Sequence, residues 1–250
     1  MAYSGGLDSA VLAKAAQLAL GDDAVAVTGV SASLAVGELD EAKEVARQIG
    51  IRHEVIETGE LSIPEYQANT ANRCYHCKTE LYERLTDFAD QHRIAAILNG
   101  TNADDASDYR PGIQAAIEHR VHSPLAECDV DKAEIRAFAA AWELPVWDKP
   151  ASPCLSSRIA YGEEVTPERL RMIDDAERLL RSHDIDPVRV RYHRGDVARI
   201  EVPSESLERL VGLVREERIV AEIKALGFKF VSLDLEGFRS GSLNQLISLT

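Results

Sequence analysis

With 250 residues, the chain has room for one large domain or for a domain with a smaller appendage. Its hydrophobic share of 45% is ordinary for a globular protein with a real core, and no apolar run reaches the ~18 residues that span a membrane. The formal charge of -14 argues against broad nucleic-acid binding, which wants a basic face, but leaves room for a small anion held by local arginines. Arginine far outnumbers lysine, a bias that either a GC-rich or a salt-adapted source would produce. Four cysteines are too few for a disulfide scaffold. Two of them form a Cys-x-x-Cys pair, which in a reducing compartment points to metal, cluster or redox chemistry. No leader pattern is visible, so a cytoplasmic location is expected.

Met1, Ala2 and Tyr3 make a short first strand fragment. Ser4-Gly5-Gly6-Leu7-Asp8-Ser9 follows. Two glycines allow a tight turn and a close approach to a ligand. Residues 7–20 then read as a helix with Leu7, Val11, Leu12, Ala15 and Leu18 on one side. A strand, a Gly-Gly turn and a helix N-terminus together offer free N–H groups and a positive dipole end to an anion. Ser4 and Ser9 add hydroxyl donors, and Asp8 is suited to hold a metal that bridges phosphates. No Gly-Lys-Ser/Thr follows, so this is not a Walker A loop. The plain alternative is an ordinary glycine turn ahead of a helix.

Further along, residues 23–30 predict a buried strand, 37–49 a helix and 53–57 a short strand. Residues 61–72 read as irregular or weakly helical, 78–92 as a long amphipathic helix and 94–98 as another buried strand. Residues 119–123 are expected to form the last strand and 131–141 a helix. This alternation predicts an α/β fold built on a doubly wound parallel sheet. Ligands bind such sheets beyond the carboxyl ends of the strands, which selects loops 4–9, 31–33, 100–105 and 123–125. The proline-rich run 145–153 marks a boundary. Beyond it Thr166-Pro167-Glu168 opens a helix to about residue 183. Residues 188–192 and 197–202 read as a hairpin around Arg194-Gly195-Asp196, 204–226 as a helix ended by Gly227, and 228–235 as a final strand. The expected division is a nucleotide domain over residues 1–150, a linker over 151–165 carrying a cysteine, and a smaller α+β domain over 166–250.

Four further clusters carry chemistry. In Gly100-Thr101-Asn102-Ala103-Asp104-Asp105 the glycine permits a close turn while Asn102 and the aspartates offer donors and metal ligands; a capped loop is the plain alternative. In Arg73-Cys74-Tyr75-His76-Cys77-Lys78 the flanking cations favour thiolates. A zinc site completed by Cys128 with Cys154 or a histidine, or a pair of inert thiols, would also fit. In Pro153-Cys154-Leu155-Ser156-Ser157-Arg158 a cysteine stands between a proline and two hydroxyls with an arginine four residues on. That suits an activated thiol in an interdomain segment, against the commoner buried and inert cysteine. Arg189 and Arg191, with His193 and Arg194 beside them, alternate on a predicted strand, so the first two share one face. Paired guanidiniums suit a phosphate, and a solvated charge-rich strand is the alternative.

SGGLDS resembles the pyrophosphate loop of the ATP-pyrophosphatase families. Together with RCYHCK, LNGTNADD, DYRPG, WDKPASPCLSSRIAYG and LDLEGFRSGSLN, it makes nearly the whole chain similar to the LarE family. The resemblance implies an adenine nucleotide alpha hydrolase-like domain and an ATP-dependent sulfur transferase. Such an enzyme adenylates a carboxylate of pyridinium-3,5-biscarboxylic acid mononucleotide and converts it to a thiocarboxylate for the nickel-pincer cofactor of lactate racemase. It further implies that Ser4, Gly5, Gly6, Asp8 and Ser9 hold the pyrophosphate of ATP and Mg²⁺, that Ser31 lies at adenosine, and that Gly100, Thr101, Asn102 and Asp104 lie near the nucleotide. Cys154, Arg158 and Asp8 would take part in catalysis, Arg189 and Arg191 would bind the substrate phosphate, and Glu201 would bind a divalent metal. Sulfur would come either from Cys154 itself, leaving dehydroalanine, or through a [4Fe-4S] cluster on Cys74, Cys77 and Cys154. A homo-oligomer is expected, with no nucleic-acid or membrane partner. Three rivals stand beside this reading: a tRNA thiolase, an amide-forming synthetase of the NAD or GMP type, and a nucleotide-binding regulator without turnover.

Overall fold

Six residues, VAVTGV, make β1 (Val25–Val30), and the first four are buried, as an inner parallel strand covered on both faces requires. The computed structural model of the chain describes residues 1–107, 111–150, 152–216, 218–239 and 241–243. Parts of three strings singled out above, at residues 108–110, 151, 240 and 244, lie outside the described residues. Among the described residues, no helix is long and apolar enough to cross a membrane. The chain divides into two units, Met1–Tyr66 with Asn72–Pro153, and Gln67–Ala71 with Cys154–Thr250.

The first unit carries α1 (Leu7–Leu20), β1, α2 (Glu38–Ile49), β2 (Arg52–Glu57), α3 (Pro64–Gln67), α4 (Arg73–His92), α5 (Pro111–Glu118), α6 (Pro124–Glu127) and α7 (Lys132–Ala141). β1 pairs in parallel with β2, in register from Val25↔Arg52 to Val30↔Glu57. On its other side β1 meets Ala2 in a parallel bridge, with the Tyr3 N–H donating to Val27 O at 2.9 Å. The Ala2 N–H donates to Leu98 O at 2.8 Å, and Leu98 bridges His122 in parallel. The ladder therefore runs β2, β1, Ala2, Leu98, His122; β2, β1 and Ala2 are parallel, as are Leu98 and His122, which makes the unit an α/β fold with a parallel sheet. Ala26 packs with Ala10, Val11, Ala42 and Ile135 of α1, α2 and α7. Its neighbours Val25 and Val27 pack instead with Tyr82, Leu85 and Ala115 of α4 and α5. Successive residues of a strand point to opposite faces, so each face of the sheet has its own helical cover.

Three expectations need correction in this unit. The runs 94–98 and 119–123 are not strands but one bridge each, at Leu98 and His122. Ala95 and Ala96 are exposed, so the first run lacks the two-sided burial that holds an inner strand. The helix expected from residue 78 begins at Arg73, because Asn72 O already accepts the Tyr75 N–H at 2.9 Å and the Arg73 side chain is buried. Cys74 and Cys77 therefore sit in the first turn of α4, and α5 and α6 are additional helices.

In the second unit α8 (Pro167–Ser182) starts where Thr166 Oγ1 accepts the Arg169 N–H at 3.3 Å, with proline at the first position. β3 (Arg189–His193) and β4 (Val197–Glu201) form the expected hairpin, and β5 (Phe230–Leu233) joins β4 in parallel. Val190, Tyr192, Ala198 and Ile200 are buried, as are Leu170 and Ile173 of α8. Residues 204–226 are not one helix but α9 (Leu207–Glu216) and α10 (Ile219–Ala225). Val211 and Val214 of α9 are exposed while Ile219 and Ile223 are buried, so a single straight helix would not keep one apolar stripe inward. The segment Gln67–Ala71 belongs here because Asn69, fully buried at φ 51°, donates through Nδ2 to the carbonyls of Ala160 at 2.8 Å and Glu163 at 2.9 Å.

Candidate functional site

The turn ahead of α1 is built on Gly5, whose φ of +71° is left-handed. A Cβ on Gly5 would also lie 2.7 Å from Ala42 Cα, so the loop presses onto α2 at a point where only glycine fits. Ser4 and Ser9 tie the turn: the Ser4 N–H donates to Ser9 Oγ at 3.3 Å, and Ser9 Oγ donates to Gly6 O at 3.0 Å. The first N–H groups of α1 have no partner inside the helix, and here they stand over a cradle of two hydroxyls, the electrostatics that favour a phosphate chain.

Asp8, in the first turn of α1, closes this cradle. Its carboxylate accepts the Asn102 amide at 3.0 Å and the Lys132 ammonium at 2.6 and 2.7 Å. The Lys132 backbone N–H donates in turn to Asp104 Oδ2 at 2.9 Å. Gly100 permits the approach, since a Cβ there would stand 3.0 Å from the Ser9 nitrogen. Thr101 is held by its N–H to Asn99 Oδ1 at 3.0 Å. Loops 4–9 and 100–105 thus meet, as their place after strand ends suggested. Lys132 was not singled out in the sequence. Its signal was indirect: Asp131 and Glu134 spell a helix start that puts Lys132 at the first helical position.

Ser31 lies at the end of β1, where its hydroxyl and that of Ser33 both donate to Glu60 Oε1. Glu60 is 2% exposed, and its second oxygen is buried with no hydrogen-bond partner. Nothing in the sequence marked Glu60, because its role depends on a contact across 29 positions.

Cys74 is exposed and Cys77 half-buried on the first turn of α4, where the Arg73 guanidinium reaches within 4.0 Å of Cys74 Sγ. Cys128 is exposed at the end of α6. Among the described residues, no three Cys, His, Asp or Glu side chains gather to hold a metal ion.

In the second unit, Cys154 is half-buried and heads a 3₁₀ turn, Leu155–Arg158. Its carbonyl accepts the Ser157 hydroxyl at 2.7 Å and Arg158 Nη1 at 2.9 Å. Arg158 is 3% exposed and is engaged by the fully buried Glu177 at 3.1 Å. Arg191 is likewise buried against Glu201 at 2.8 Å and donates to Ser157 O at 3.2 Å. Glu201, expected to bind a metal, has both oxygens taken: Arg191 holds one, and Arg199 at 2.9 Å and Ser242 at 2.6 Å hold the other. Arg189 shares the Arg191 face of β3 and lies over the Phe238 ring at 5.4 Å. Burial, and next the nearby Arg158 cation, push its guanidinium below the ordinary value. An anion beside Arg189 would relieve that charge excess. His193, on the same face, is also held below the ordinary imidazole value, first by burial and then by Arg199.

No family model matches the chain. It is 47% identical over 248 residues to an uncharacterized protein of Synechocystis sp., covering 99% of this chain and 92% of that one. It is 30% identical over 240 residues to an uncharacterized protein of Methanocaldococcus jannaschii, covering 96% and 90%. A third relative, from Lactiplantibacillus plantarum, is the pyridinium-3,5-bisthiocarboxylic acid mononucleotide synthase, 37% identical over 249 residues that cover 99% of this chain and 89% of the relative. The matched stretch runs through both units, and the chain belongs to the LarE family.

Proposed function

We propose that the chain is an ATP-dependent sulfur transferase that adenylates a carboxylate of pyridinium-3,5-biscarboxylic acid mononucleotide and replaces AMP with sulfur, giving a thiocarboxylate. The observation that carries this reading is the closed cradle of Ser4, Ser9, Asp8, Asn102 and Lys132 at the N-terminus of α1, in a chain of this family. We read the first unit as a doubly wound ATP-pyrophosphatase domain and the second as the substrate domain.

Adenylation makes a carboxylate oxygen part of a good leaving group, so one hard substitution becomes two easier ones. Backbone N–H groups at the start of α1 and the Ser4 and Ser9 hydroxyls bind the developing pyrophosphate. Lys132, now on Asp8, moves its ammonium toward the phosphates as charge builds there. Freed of Lys132, the part-exposed Asp8 carboxylate fits Mg²⁺, which takes one or two carboxylates and completes its shell with phosphate oxygens and water. Ser31 and Ser33 shape the adenosine end. Arg189 and Arg191 hold the mononucleotide phosphate. The Cys154 thiolate attacks the adenylated carbonyl carbon, AMP leaves with the C–O electron pair, and the thiocarboxylate keeps the sulfur when the Cβ–S bond breaks by loss of the Cys154 α-proton. In the other route, the Cys74 and Cys77 thiols on one helical turn would supply two thiolates to an iron–sulfur cluster and Cys154 would be the third. Bound there, a cluster would supply an iron able to carry inorganic sulfide.

The test is incubation with ATP, Mg²⁺ and the mononucleotide, followed by pyrophosphate assay and mass spectrometry. Pyrophosphate and thiocarboxylate are expected, and loss of H₂S from the Cys154 peptide identifies the sacrificial route. Cys154→Ala should bind ATP and form no thiocarboxylate; full product from that variant would refute the assignment.

A further inference from the structure

Glu177 has no surface and no place in the chemistry above, yet both of its carboxylate oxygens are engaged. It projects from α8 with 0% exposure and accepts three partners. Arg158 Nε donates to Oε1 at 3.1 Å, Arg181 Nη2 donates to Oε2 at 3.0 Å, and the Val190 N–H donates to Oε1 at 3.1 Å. Arg158 carries the contact onward, since its Nη1 holds the Cys154 carbonyl at 2.9 Å and the Ser157 hydroxyl at 3.3 Å. Val190 carries it to β3, between the two arginines proposed to hold the phosphate. One carboxylate thus fixes both the turn that presents Cys154 and the strand that presents Arg189 and Arg191.

A buried ion pair is a poor way to gain stability. Apolar side chains of the same volume commonly serve as well or better, because two charges need not be stripped of water. What the pair supplies and a hydrophobic contact does not is a directed guanidinium, whose planar donors fix the carbonyl ahead of the 3₁₀ turn. We propose that Glu177 is a positioning residue for Cys154, acting through Arg158; the inference rests on Cys154 being the sulfur centre.

Glu177→Gln in the full chain separates the charge from the shape. Glutamine still accepts the Val190 N–H but no longer holds Arg158 as an ion. Thiocarboxylate formation is expected to fall on the order of tenfold to a hundredfold, with KM for ATP and for the mononucleotide little changed, as a displaced reacting group gives. In a background of Cys74→Ser, Cys77→Ser and Cys128→Ser, where Cys154 is the remaining thiol, the same substitution should change the rate of iodoacetamide alkylation. The double variant Arg158→Met with Glu177→Met leaves no lone charge of the pair, so its thermal midpoint should return toward that of the parent while transfer stays low. Transfer that recovers with the midpoint, or a Glu177→Gln protein with unaltered transfer and alkylation, overturns the inference. Full product from Cys154→Ala would instead remove the parent reading, and the alkylation rates would still decide whether Glu177 sets the Cys154 turn.

Discussion

At the scale of single residues, the glycine loop distinguishes its two glycines. Gly5 has a left-handed φ of +71° and Ala42 Cα where a Cβ would go, 2.7 Å away. Gly6 has an extended backbone at φ -80°, and its nearest obstacle, Ser4 Oγ, lies at 3.4 Å. Gly5→Ala must therefore push α2 off the loop and hold alanine in a strained conformation, at a cost of roughly 1–3 kcal/mol. Gly6→Ala is expected to leave stability nearly unchanged. Urea denaturation of the two variants, beside an ATP titration, checks this, and equal midpoints would show that the loop yields freely. The sequence string alone does not separate the two positions, because the obstacle to Gly5 is a residue 37 positions away, on another helix.

At the scale of elements, α7 shows how a local signal places a distant contact. Asp131 Oδ1 accepts the Glu134 N–H at 2.8 Å and Glu134 Oε2 accepts the Asp131 N–H at 3.1 Å, a reciprocal cap that fixes where the helix begins. Lys132 is the next residue, with its N–H on Asp104 and its ammonium on Asp8. Asp131→Ala should lower stability by about 1 kcal/mol. Because the same turn aims Lys132, it should also raise KM for ATP, whereas a capping loss at Thr166 of α8 should lower stability alone. Comparing KM in the two variants checks the point, and equal KM values would detach Lys132 from the cap. Helices with such caps, α7 and α8, were legible because the information is local. The start of α4 was not, since Arg73 is helical through burial rather than through any capping pattern. Run 94–98 spells a strand yet holds one bridge, at Leu98, because an apolar run does not reveal that Ala95 and Ala96 face water. The same limit applied to the site. The glycine loop, the Gly100–Asp105 loop and the Cys154 turn are contiguous strings and were visible, whereas Lys132, Glu60 and Glu177 act across long sequence separations and were not.

At the scale of the whole molecule, stability carries a pH dependence that each unit supplies separately. In the first unit, His53 Nε2 is 2.8 Å from Thr28 Oγ1, and burial, then the Lys43 cation, hold the ring below its ordinary value of 6.5. In the second unit, His193 is lowered from the same value by burial and by Arg199, and its Nε2 is buried with no hydrogen-bond partner. Both groups bind a proton more readily in the unfolded chain than in the folded one. The stability they contribute is therefore fully present above about 6.5 and is lost as pH falls through the lower folded values. The large acidic excess does not blur this window, because ordinary carboxylates stay ionised down to about pH 5. The thermal midpoint is thus expected to decline between about pH 7 and pH 5. His193→Gln removes one titrating group from a site already crowded by cations, so it should flatten the decline and raise the midpoint at the acid end relative to the parent. A parent midpoint that stays level across this interval, or a His193→Gln variant as acid-sensitive as the parent, would show that the ring is not held neutral by its surroundings. The direction of the effect also bears on the strand we propose to hold the substrate phosphate, for a charged His193 would join Arg189, Arg191 and Arg199 on one face. The same acidification that weakens the empty fold should then tighten its hold on an anion, so the mononucleotide should raise the midpoint more at pH 5.5 than at pH 7.5, on the scale of about one proton taken up with the ligand.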